Sequence, residues 1–229
     1  MDNIIEVKHI DKIYGKAYKT QVLFDINLEI KRQSFNSIIG QSGSGKSTLL
    51  NIISSLDKPT HGEAYIDGEL INNMNKRQLA KIRSEKIGFV FQFHYLLPEF
   101  TALENVLMPL KISGKTIDKS LNDKACDLME SLGLSDVKDN MASNMSGGQQ
   151  QRTAIARALI TDPEIIFADE PTGNLDSDTS EQIYELLREI NKKYKTTFIL
   201  ITHDRRIAEK ADRIIEIKDG KIAFDTNMN

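Results

Sequence analysis

The 229-residue sequence contains one cysteine, Cys126. No intrachain disulfide can form, which fits a reducing compartment. Nothing beside Cys126 marks a reactive thiol, and it reads as filler on a helix. No apolar run approaches the roughly 18–20 residues that a membrane helix needs. Any work on a membrane would therefore need a separate membrane partner. The stretch Met1–Glu6 does not read as a signal peptide. A basic excess is also missing: the formal net charge is -3, so a general nucleic-acid or anionic-membrane surface has no support and no nucleic-acid partner is expected. Repeats, low-complexity segments and long heptad runs are absent. The remaining composition is 40% hydrophobic and 28% charged, ordinary for a globular chain. The length suits one large domain, or a core with a subdomain.

One stretch organises the rest. Gly40-Gln41-Ser42-Gly43-Ser44-Gly45-Lys46-Ser47-Thr48 matches G-x-x-x-x-G-K-[ST], a phosphate-binding loop. Ser37-Ile38-Ile39 ends a buried strand before it, and Thr48–Ile53 reads as a helix after it. Glycines let backbone N–H groups turn inward without a Cβ in the way. Those donors and the positive helix end form a seat for phosphate oxygens. Lys46 can reach the β- and γ-phosphates, and the Ser47 hydroxyl can ligate Mg²⁺. An ordinary Gly/Ser turn is the bland alternative; the Lys-Ser pair and the strand–helix flanks argue against it.

Strands are expected at 4–8, 22–30, 34–39, 62–68, 87–91, 164–170 and 197–202, with a loop around Tyr14-Gly15 and a hairpin from Ile214 to Phe224 about Asp219-Gly220. Helices are expected at 75–84, from Thr101 through Leu107, at 117–132, from Gly147 or Gly148 to about Ile160, at 177–193 and at 205–211. Thr101–Glu104 has capping-box spacing, and Pro109 should limit or kink the helix it follows. Alternation of helices with continuous apolar strands predicts an α/β fold around a mainly parallel sheet. The stretch from about 93 to 160 reads as an inserted helical subdomain, with a core of 1–92 and 161–229 within a single domain spanning 1–229.

Asp169-Glu170 closes a buried strand, at the edge where open α/β sheets bind ligands. Asp169 is placed to hold Mg²⁺, directly or through water. Glu170 is placed to orient or deprotonate a water attacking the γ-phosphate. A solvated acid pair at a strand end is the alternative. Ser146-Gly147-Gly148-Gln149 opens a helix with a hydroxyl, free backbone donors and a second positive terminus; it is equally an N-cap by Ser146. Gln92 and His203 each follow a strand. Gln92 can ligate Mg²⁺ or hold water, and His203 can donate to a γ-phosphate oxygen, though lone residues of these types are more often structural. Tyr14 can stack on an adenine ring, or is only an aromatic in a loop.

In their order, Gly40–Thr48, Gln92, Met145–Gln149, Asp169-Glu170 and His203 resemble the nucleotide-binding subunits of ATP-binding cassette transporters, and the resemblance covers nearly the whole chain. It implies a P-loop NTPase core of RecA-like type, an N-terminal antiparallel β subdomain and a helical subdomain. It implies ATP with Mg²⁺, and a head-to-tail homodimer with two ATP molecules at its interface. Each ATP would lie between the phosphate loop of one subunit and Ser146–Gln149 of the other. It further implies that Tyr14 stacks on adenine, that Gln92 couples and His203 switches, that Glu170 is the catalytic base, and that Asn174-Leu175-Asp176 crosses between the sites. Two positions depart from the family pattern. Met145 replaces a usual Leu, a volume-conserving swap. Gln33 stands where a Gly or acidic turn is common.

A finer resemblance rests on Phe91–Val106 and Pro171–Ser177. These look like the lipoprotein-releasing (LolD) and macrolide-exporter (MacB) branch, whose membrane partners resemble FtsX; FtsE is a near relative. An ATP-hydrolysing subunit on the cytoplasmic face of the membrane is the expectation, powering export or extraction of a substrate. The segment 93–106 lies where the family docks its membrane subunit. The alternatives are an FtsE-like regulatory ATPase and a soluble ATPase acting on nucleic acid or ribosomes. The latter usually carries a long coiled-coil insertion or a second cassette, and neither is present.

Overall fold

The computed structural model of the chain describes residues 3–15 and 17–228. Met1 and Asp2, which open the Met1–Glu6 stretch, therefore lie outside the described residues, as do Lys16 and Asn229. The chain begins with two long strands, β1 (Asn3–Tyr14) and β2 (Thr20–Lys31), paired antiparallel. With β4 (His61–Ile66) and β5 (Glu69–Leu70) they form a sheet of order β2-β1-β4-β5. β1 runs well past residue 8, where the apolar alternation stops. The reason is a bulge: the register shifts between Val7 and Ile10, and His9 takes φ 53. A bulge breaks the period of two without ending the strand. Tyr14 is thus the last residue of β1, not part of the following loop.

The second sheet holds β3 (Phe35–Ile39), β6 (Ile87–Phe91), β7 (Ile165–Asp169), β8 (Thr197–Ile201), β9 (Arg213–Lys218) and β10 (Lys221–Asn227), in the order β10-β9-β3-β8-β7-β6. All neighbouring pairs are parallel except β9 with β10. Every residue of β3 and β8 is buried, as expected of strands covered on both faces. Alternate residues serve two cores. Ile38, Ile165, Phe167, Ile199 and Ile201 face α1 (Lys46–Ile53) and the antiparallel sheet. Phe35, Ile166, Ala168, Phe198 and Leu200 face the other side. There they meet α3 (Ala102–Ile112), α4 (Lys119–Ser131), α5 (Gly147–Leu159) and α6 (Ser177–Tyr194).

Three of these helices, α3 to α5, enter the chain between β6 and β7. The Thr101–Glu104 capping box forms in both directions. α3 then continues beyond Pro109 to Ile112. Proline removes one interior donor, while Val106, Leu107 and Leu110 stay buried and hold the helix in place. α4 starts two residues later than its apolar spacing suggests, because the Asp118 carboxylate accepts the Leu121 N–H and caps it. Cys126 lies on α4, half-buried. α2 (Lys76–Lys86) and a short α7 (Arg205–Ala208) are the remaining α-helices among the described residues; α7 is shorter than its expected 205–211 span. Among the described residues, no helix is long and apolar enough to cross a membrane.

Candidate nucleotide site

The loop from Gly40 to Gly45 joins β3 to α1. Gly40 has φ 152, and a Cβ there would lie 2.2 Å from the Ile217 carbonyl oxygen. Gly45, the N-cap of α1, has φ 107 and supplies no side-chain cap. By contrast α2, α3, α5 and α6 are each capped by a side chain, from Asn75, Thr101, Ser146 and Asp176. The first-turn donors of α1 are thus left to an anion. The Lys46 ammonium arches over the loop and donates to the carbonyls of Gly40 and Gln41, both at 2.8 Å. The Ser44 carbonyl accepts from Gly220 N–H at 2.9 Å, which pins the loop to the β9–β10 turn. Gln41, Ser42 and Gly43 form its exposed tip.

Asp169 ends β7 at the same edge of the sheet. Burial first, and then the neighbouring Glu170 charge, push its carboxyl pKa up; the Lys46 charge opposes them. Glu170 follows in the left-handed region, at φ 47. Non-glycine residues there are strained, and such strain gathers at functional sites. It is held by its own N–H on the Ile201 carbonyl (2.9 Å) and by its carbonyl on Gly173 N–H (3.0 Å). Its Oε1 lies 2.8 Å from Nδ1 of His203, just beyond β8. A cleft of about 610 Å³ opens beside them, lined in part by Thr172, Gly173 and Arg206. A larger cleft of about 950 Å³, with Lys124, Asp162 and Tyr194 on its walls, lies at the opposite end of β7 and away from this chemistry.

Gln92, just past β6, is locked to the loop after β7. Its Nε2 donates to Asn174 Oδ1 at 3.0 Å, and Asn174 Nδ2 donates back to the Gln92 carbonyl at 3.2 Å. A Cβ on Gly173 would come within 2.7 Å of the Gln92 amide. Ser47, Asp169 and Gln92, the residues expected to ligate a metal, would each offer a hard oxygen. That set suits Mg²⁺, which is commonly held by one or two carboxylates together with phosphate oxygens.

Tyr14 stands beside the loop, with its hydroxyl near Thr48. That hydroxyl also donates to Asp57 Oδ2 at 3.0 Å, and the Lys12 ammonium sits 4.7 Å from the ring centroid. The ring is 40% exposed. Ser146–Gln149 are placed differently. Ser146 Oγ accepts from Gln149 N–H, and Gln149 Oε1 accepts from Ser146 N–H. Gly147 and Gly148 face Leu175 and Thr179. Every hydrogen bond described for Ser146–Gln149 closes within α5. Met145 is buried in the helical core, as a Leu would be. Gln33 adopts φ 62, the left-handed turn that favours glycine. Bonds from its N–H to Thr197 Oγ1 and from Asn191 to its carbonyl hold it there.

Sequence reasoning missed two groups around Gln92. Arg157 of α5 donates to the carbonyls of His94 and Tyr95. Buried Asn105 donates to Leu97, Phe100 and Thr101 carbonyls and accepts from Leu97 N–H. A polar side chain on a helix face gives no sign of which backbone outside its helix it will bind.

A glycine-rich strand-to-helix loop with its lysine, at the same sheet edge as an Asp-Glu pair that closes another parallel strand, defines the P-loop nucleotide hydrolases. Within that class the chain belongs to the ABC transporter family, whose pattern matches residues 23–173. It is an ATP-hydrolysing subunit of that family. It is 47% identical to the lipoprotein-releasing system ATP-binding protein LolD 1 of Rhodopseudomonas palustris, over 97% of this chain and 100% of the relative. It is 43% identical to LolD of Francisella tularensis, covering 100% of this chain and 99% of that one. The dimeric post-hydrolysis structure of the ATP-binding cassette MJ0796 bound to ADP and Pi superposes with a TM-score of 0.89. That match has 42% identity and covers 98% of this chain and 99% of the other.

Proposed function

We propose that the chain binds ATP with Mg²⁺ and hydrolyses it as one half of a homodimer. The dimer would drive a separate integral membrane subunit of FtsX- or MacB-like kind from the cytoplasmic face of the membrane. The observation that carries this reading is the shared sheet edge: the uncapped α1 N-terminus, Lys46, Asp169, Glu170 and His203 stand together there. Backbone N–H groups of Gly40–Thr48 and the Lys46 ammonium hold the triphosphate. Ser47, Asp169 and Gln92 hold Mg²⁺, which when bound offsets phosphate charge. Glu170 takes a proton from the attacking water. His203, with both ring nitrogens protonated, donates through Nδ1 to the Glu170 carboxylate and through the other nitrogen to a γ-phosphate oxygen. Tyr14 stacks on the base. Ser146, Gly147, Gly148 and Gln149 serve the nucleotide of the second copy, since in their own chain they close on α5.

The work is export or extraction of an amphiphile; lipoprotein release is what the relatives are named for. Phe93 and Tyr95, 64% and 63% exposed, present aromatic surface just after Gln92 and suit contact with the membrane subunit. Glu170→Gln tests the chemistry. Equilibrium binding should show ATP affinity retained, while phosphate release falls by about a hundredfold or more. Wild-type turnover by that variant would reject Glu170 as the base.

A further inference from the structure

The turn after Gln92 is unusual. His94 and Tyr95 are consecutive non-glycine residues in the left-handed region, at φ 58 and φ 48. Each costs energy relative to ordinary backbone, so the turn persists only if something outside it holds it. The His94 N–H on the Phe91 carbonyl and the Phe91–Tyr95 ring contact brace it from β6, and one side chain braces it from α5. Arg157 Nη2 donates to the His94 carbonyl at 2.6 Å and Nη1 to the Tyr95 carbonyl at 2.5 Å. The planar guanidinium fork spans both oxygens at once, which the single ammonium of a lysine does not reproduce. Burial disfavours the charge on Arg157. Its burial is therefore costly unless the two carbonyls compensate.

The base of this strut is rigid. α5 lies directly on β6: a Cβ on Gly88 would be 2.6 Å from the Ala158 carbonyl oxygen, one residue from Arg157. β6 runs straight into Gln92. Arg157 therefore closes a triangle made of α5, β6 and the turn. One corner carries Gln92, and the adjacent turn carries the exposed Phe93 and Tyr95. The first turn of the same helix carries Ser146–Gln149.

We propose that Arg157 is a positioning residue for Gln92. It locks the strained His94–Tyr95 turn so that the Gln92 amide keeps its place, and it ties that place to the helix that begins at Ser146. This rests on the reading of Gln92 as a ligand in ATP turnover. Arg157 touches no nucleotide itself, so its loss lowers turnover and leaves ATP binding by Gly40–Thr48 intact.

The test is steady-state hydrolysis by the purified full chain, with Gln92→Ala, Arg157→Lys and the double variant measured beside wild type. Arg157→Gln substitutes if the lysine variant does not fold. Arg157→Lys should lower kcat about tenfold, with KM for ATP and the urea midpoint close to wild type. In the Gln92→Ala background it should add less than about twofold, because both changes remove the same interaction. A merely structural arginine would instead lower the urea midpoint and add its effect independently. Wild-type kcat for Arg157→Lys, or losses that multiply with those of Gln92→Ala, would overturn the proposal. Full activity in Gln92→Ala alone would reject the role of Gln92 and the strut with it, a different result from failure of the strut alone.

Discussion

Lys46 shows how much one side chain can report. Its ammonium bonds two loop carbonyls and also opposes the upward push on the Asp169 pKa, so it faces both the loop and the acid that ends β7. If that cation meets phosphate, Lys46→Ala should weaken ATP binding by about tenfold or more, as charge-assisted contacts of this kind do. Isothermal titration of the variant checks this, and unchanged affinity would count against the whole site. Lys46 was legible from sequence because the loop is a local motif of nine residues. The partners of Gln92 and Arg157 were not, since they lie 82 and 62–63 positions away. Nothing local in Asn174 or Arg157 announces a bond across such a separation.

Elements were readable where one physical signal dominated. β7 and β8 declared themselves through continuous apolar runs, and α3 and α5 through their caps. Boundaries failed where two signals competed. β1 lost its alternation at a bulge yet continued in the sheet. α3 outlasted its proline because burial of one face outweighed a missing donor. The contact of α5 with β6 is a close one, and the helix it seats carries both Arg157 and Ser146–Gln149. Gly88→Ala would place a methyl group against backbone that cannot swing aside. Overpacking of this kind costs about 1–3 kcal/mol, so the urea midpoint of Gly88→Ala should fall measurably. An unchanged midpoint would mean that α5 can lift from β6 without loss.

At the scale of the whole molecule, the proposed reading asks for two separate seats for phosphate. One is the loop over which Lys46 arches. The other is the start of α5, whose hydrogen bonds close on themselves and whose glycines pack against Leu175 and Thr179. In the proposed dimer they meet only through a second copy. The most direct measurement is light scattering of Glu170→Gln with ATP and Mg²⁺, compared with Glu170→Gln/Ser146→Arg, together with ATP binding to each. The first should dimerise on adding nucleotide. The second should still bind ATP through its own loop but remain monomeric, because arginine blocks the seat for the second copy's triphosphate. A dimer that forms equally well with arginine at 146, or a Glu170→Gln chain that stays monomeric at saturating ATP, would contradict the shared site.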